Sequence, residues 1–341
     1  MPQTTGLVAP PSSAGVNIQA VLRWVYVLAC LFAIGPVVLR VVARIHDAHG
    51  GHAATLLTDG AAGLVALGTV LGVCLVVGVI GARFFTLGVG AMGAGVVAAW
   101  GAWGCATIAT IVRATSDASV FKPLAVEGLI CGLAGAAMVW VFERVAMKSQ
   151  PAGAEDQMAA RVAEGGAIKK TKRALGGVVV MDRSASLGPV LGAALVAAVV
   201  AAGLATYMVA ISVLKGQVVA AAIAAGIAAG MASVYASQAA KGVVSGVVPA
   251  LGVAVLATAG PFVALMFDDR NLVQAAMTGS LNALARPIGL DWLAGILCGV
   301  PLGLSWAGLK LDVRAHQPGT MEPGSTSGAA TMEGASASKG A

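Results

Sequence analysis

Eight long apolar stretches, nearly free of charge, divide this sequence at 20–43, 61–81, 85–111, 123 to 140–145, 187–214, 218–236, 243–267 and 288–309. Each is close to the twenty or so residues that carry an α-helix across the hydrocarbon of a bilayer. Within that layer no water is present to satisfy backbone N–H and C=O groups, so helices that bond internally are the only spanning solution for runs of this length. The expectation is an all-α membrane protein with about eight transmembrane helices. Composition supports it: 58% of residues are hydrophobic and 11% charged, too much apolar surface for one water-soluble core.

The expected organisation is a tail over 1–17, a membrane half over 18–147, a basic linker over 148–186, a second half over 187–312 and a tail over 313–341. Both tails are rich in Gly, Ser, Thr, Ala or Pro and carry no pattern that packs. The linker holds Lys169, Lys170, Lys172 and Arg173. Such charges meet anionic lipid headgroups, each contributing about 1 kcal/mol near the surface. The net charge of +6 is explained by topology: with eight spans, the N-terminal side holds 14 Lys and Arg and the other side 7. The positive-inside rule then places both termini and the linker in the cytoplasm, with the protein integral to the plasma (bacterial inner) membrane. No aromatics are interleaved with the basic residues, which argues against nucleic acid as a partner.

The two halves resemble each other in plan. Pro123-Leu124-Ala125-Val126-Glu127 precedes the fourth span as Pro287-Ile288-Gly289-Leu290-Asp291 precedes the eighth, and Asp59-Gly60 stands before the second where Lys215-Gly216 stands before the sixth. Gly128-Leu129-Ile130-Cys131-Gly132 matches Gly295-Ile296-Leu297-Cys298-Gly299, at an offset three residues larger. A four-plus-four tandem repeat would place both units in one orientation, about an axis along the membrane normal.

Glu127 and Asp291 are the leading candidates for function. An ionisable group inside a span is costly unless it meets a partner, water or the bundle interior. The simpler reading is a carboxylate in the first helical turn, favoured by the helix dipole and hydrated at the interface. Spans three and seven form a second lead, as glycine- or proline-interrupted helices at corresponding positions, with Gly93, Pro249 and Pro261 on the expected solute path. Small residues also serve plain helix packing, and GxxxG spacings recur at Gly68/Gly72, Gly128/Gly132, Gly188/Gly192, Gly226/Gly230, Gly242/Gly246 and Gly299/Gly303. Pro36 is expected to kink the first span.

Other motifs carry less. His46, Asp47, His49 and His52 offer metal-ligand chemistry in the first loop, but their spacing matches no metal motif and Gly50-Gly51 leaves them unrestrained. Gly88, Gly90 and Gly93 fit GxGxxG formally, without the strand that a dinucleotide site needs. Cys30 faintly resembles a lipoprotein cleavage site inside an apolar run that continues well past it. The five cysteines lie in spans without CxxC spacing and read as small buried hydrophobes. Asp182, Ser184 and Ser186 read as caps for the fifth span. There is no HExxH, no GxSxG in its strand-to-helix setting, and no cofactor motif, so an enzyme is not expected. The expectation is a small-solute or ion transporter. Its rival is a non-catalytic scaffold or assembly factor, and the glycine-lined faces are compatible with a homo-oligomer.

Overall fold

A computed structural model describes residues 18–43, 60–115, 118–149, 179–180, 187–240, 242–267 and 272–315. The histidine loop, the basic cluster Lys169 to Arg173, the caps Asp182, Ser184 and Ser186, Asp59, the tail over 1–17 and residues 316–341 lie outside them, while residues 313–315 of the expected C-terminal tail continue the last helix, Val300–Ala315. Eight helices are long and apolar enough to cross a membrane: span one Ile18–Ala43, two Ala61–Phe84, three Leu87–Val112, four Phe121–Lys148, five Leu187–Val209, six Lys215–Ala239, seven Val247–Met266 and eight Gly289–Gly308. The protein is an integral membrane protein of all-α architecture, bounded by lipid. Among the described residues the one departure is an antiparallel bridge pairing Val179 with Val243 and Val180 with Gly242, which fastens the end of the linker to the turn between spans six and seven.

The spans are buried to very different degrees. In span eight 78% of the apolar window is buried and in spans one and five 22%, so span eight is the central post and spans one and five lie against lipid. Span eight is packed by spans three, four and six, span four lies along span seven, and spans one and two close over span three. The outward side chains, such as Val196, Val200 and Leu204 on span five, are apolar, as a lipid-facing surface requires.

Three details differ from the sequence expectation. Span five ends at Val209 rather than 214, and span six begins at Lys215 rather than 218. Lys215 is therefore a helical residue and not a loop residue; its charge is neutralised within the bundle, so it does not end the span. Span three is broken by the non-helical residues 104–107, after which a short helix runs Ile108–Thr115. Span seven stays helical throughout: Pro249 stands in its first turn, where a missing N–H costs nothing, and Pro261 sits inside a continuous helix.

Two π-helical turns accompany prolines. In span one the turn Cys30–Ile34 precedes Pro36, and in span eight Gly295–Gly299 precedes Pro301. A proline removes one i→i−4 bond and crowds the turn before it, and a locally widened helix accommodates both effects.

Glycine makes the closest crossings. Gly226 and Gly230 of span six face Gly295, Gly299 and Gly303 of span eight so closely that a Cβ on Gly226 would stand 3.0 Å from the Cα of Gly299. Gly128 and Gly132 lie on the backbone of span seven at Ala257 and Ala254. Gly90 meets span two at Ala82, and Gly93 meets the ring of Tyr26, which gives the GxGxxG spacing a packing role. By contrast Gly68, Gly72, Gly188 and Gly192 have no neighbour within 4 Å and open outward. Cys30, Cys74, Cys105, Cys131 and Cys298 are all free and buried.

At the linker end, Glu143 Oε1 accepts a 2.7 Å hydrogen bond from the backbone N–H of Gly246, one residue before span seven begins. It satisfies one of the orphan donors of that helix start, while Arg144 stacks over Trp140 at 5.3 Å. Hydrogen bonds to charged groups contribute about 1.5–3 kcal/mol. Glu143→Ala is expected to lower the unfolding free energy by about that amount, measured by denaturant titration in micelles, with Glu143→Gln retaining most of it; equal loss in both variants would show that the acceptor oxygen is not what matters.

Candidate functional site

Asp291 is the third residue of the helix that starts at Gly289, directly after Pro287 and Ile288. Its carboxylate folds back to accept the Ile288 N–H at 2.9 Å, which closes the helix start and fixes the side chain toward the bundle. Lys215, the first residue of span six, reaches it from the neighbouring helix: Nζ lies 2.9 Å from Oδ1 and 3.1 Å from Oδ2. Asp291 is wholly buried and the lysine side chain is 11% exposed. The pair is thus shielded from water, where desolvation and attraction are both large and neither partner is tolerable alone.

Glu127, in the second turn of span four, is also fully buried. It touches span eight where that helix has no side chain: a Cβ at Gly289 would fall 2.8 Å from Glu127 Cγ and 3.0 Å from Cys131 Sγ. Glycine at 289 is therefore what lets Glu127 lie against the helix bearing Asp291. Cys105, within the break of span three, lies in electrostatic range of Lys215, Glu127 and Asp291, and Cys131 in range of both acids. Spans three, four, six and eight thus surround two carboxylates, one ammonium and two thiols, next to a stretch of unwound backbone.

The sequence picked out both acids, and the structure brings them to one region, inside the bundle rather than in a hydrated interface. Lys215 was not picked out. A lysine opening a span on the side that is poor in basic residues has no topological reason to be there, and that was the signal for a partner. Gly93 packs on span one away from this cluster's contacts, and Pro249 and Pro261 lie on span seven. Among the described residues no three His, Cys, Asp or Glu are grouped to hold a metal ion.

Arg286 precedes the same helix start. Its Nε donates to Leu281 O at 2.9 Å, Nη2 to Gly279 O at 3.0 Å, and Nη1 to Ala210 O. It ties the turn after span five to the turn before span eight, and Gly279, at φ +75°, supplies a left-handed bend that other residues adopt at a cost. Burial lowers the guanidinium pKa from its ordinary value, which leaves it cationic at neutral pH. Comparison with protein-family models, curated proteins and solved structures finds no match for this chain.

Proposed function

We propose that this protein carries a small solute or ion across the membrane, with Glu127, Asp291 and Lys215 as the charged centre of the path. The observation that supports it is a second buried carboxylate, Glu127, packed against Gly289 at the start of the helix that carries Asp291 and its partner Lys215. Ionisable side chains inside a membrane bundle are costly and mark ion or substrate paths, and here three of them, from spans four, six and eight, gather in one region. A proton or cation arriving at Glu127 changes the field at the Lys215–Asp291 pair, and the unwound residues 104–107 offer backbone groups for a passing solute.

The packing pattern fits the proposed four-plus-four duplication. A two-fold axis that exchanges the halves turns the contact of span four with seven into that of span eight with three, and leaves spans four and eight, which bear the acids, facing each other. Spans one and two barely touch whereas five and six pack extensively, which departs from strict symmetry. The proposed setting is the bacterial inner membrane, with both termini cytoplasmic and the linker on anionic headgroups. The rival scaffold role draws support from the closely packed glycine seam between spans six and eight.

The test is proton or cation flux in vesicles containing the purified protein, read with an internal pH-sensitive dye. Glu127→Gln keeps the shape and is expected to reduce flux at least tenfold without loss of fold. Flux that survives Glu127→Gln combined with Asp291→Asn removes these acids from the path.

A further inference from the structure

A second polar feature lies where the turn after span five meets the segment before span eight. The chain there walls a cavity of about 430 Å³, lined by Tyr207, Ala210, Ile211, Ser280, Asn282 and Arg286 among others. The side chains that can speak to a ligand are mainly donors. Arg286 is 9% exposed and commits three of its five N–H donors to backbone carbonyls, which leaves two. Asn282 uses Oδ1 to accept the Leu284 N–H at 3.0 Å, which orients its amide and leaves Nδ2 as donor. Tyr207 adds a hydroxyl, whereas the Ser280 hydroxyl is already engaged by Thr278 Oγ1 at 2.9 Å and Ala275 O at 3.5 Å. No carboxylate lines the cavity among the described residues.

We infer that this cavity binds an oxyanion, a phosphate or carboxylate group, held by the Arg286 fork and the Asn282 amide. A guanidinium clamped on three sides by carbonyls loses little freedom when a ligand docks, and planar donors match the oxygens of such groups in pairs. At the C-terminal end of span five the anion is either a lipid headgroup phosphate or a free small anion. The chemistry is the same for both. The site is distinct from the Glu127 centre and stands whether or not that centre carries flux.

The probe is inorganic phosphate titrated into the full chain in dodecyl maltoside micelles, which contain no phosphate, with heat and thermal unfolding midpoint as readouts. Saturable binding is expected. Asn282→Asp keeps the oxygen that caps Leu284 but replaces the donor with a negative charge, and it is expected to weaken binding at least tenfold without shifting the unliganded midpoint. A variant with Lys169, Lys170, Lys172 and Arg173 changed to Gln separates the cavity from the linker and is expected to bind as before. If added phosphatidylglycerol abolishes the phosphate response, the occupant is the headgroup; if the response persists, it is a free anion. Absence of saturable binding, or binding equal in Asn282→Asp, overturns the assignment.

Discussion

Lys215→Met is expected to destabilise the folded protein by about 3–5 kcal/mol, the cost found when one member of a buried ion pair is removed and the other is left charged in a dry interior. Asp291 has no water to turn to, being wholly buried. It therefore takes up a proton or drags water into the bundle. Asp291→Asn is expected to be less damaging than Lys215→Met, because the amide can still accept the Ile288 N–H that the carboxylate now holds at 2.9 Å. The double variant Lys215→Met with Asp291→Leu is expected to recover most of the loss, since apolar replacements of a buried pair are often neutral or stabilising. Unfolding by denaturant in mixed micelles reads all three. Equal stability of Lys215→Met and the parent would mean that the two charges do not meet in the bilayer.

The glycine seam gives the second large effect. Gly299→Val is expected to push spans six and eight apart, because a Cβ there would meet the Ile223 carbonyl and stand 2.8 Å from Gly226 Cα, with backbone on the other side that cannot yield. Overpacking a well-filled interior costs roughly 1–3 kcal/mol and more where backbone must shift. The loss is expected at the upper end here, with poor recovery of folded protein on size-exclusion chromatography. Gly68→Val and Gly72→Val, which share the same GxxxG spacing but face open space, are expected to leave stability within about 0.5 kcal/mol. If both sets behave alike, the seam is not what holds the centre together.

That contrast shows where sequence reading reaches its limit for a chain of this kind. Length and oiliness were enough to place eight helices, with ends mostly within a few residues. Glu127 and Asp291 stood out because charge is rare inside a span. Which side of each helix faces inward was not readable: a helix apolar all round carries no stripe, so Gly226 and Gly68 look alike until packing separates them. The break at 104–107 was hidden because Gly104, Cys105, Ala106 and Thr107 continue the apolar run without a proline. Lys215 was misplaced for a related reason. A basic residue beside an apolar run is normally the boundary of that run, and only its partner 76 positions away makes it part of the helix.

The burial of span eight has a consequence for how the protein is made. The most enclosed helix follows the other seven in the chain, so during synthesis the earlier spans enter the bilayer before the post around which they close exists. Until then Lys215 lies near the headgroups with its charge in water, able to snorkel outward, and the glycines of span six face lipid. Arrival of Gly289–Gly308 neutralises the lysine and fills the seam together, which ties closure of the bundle to the insertion of span eight.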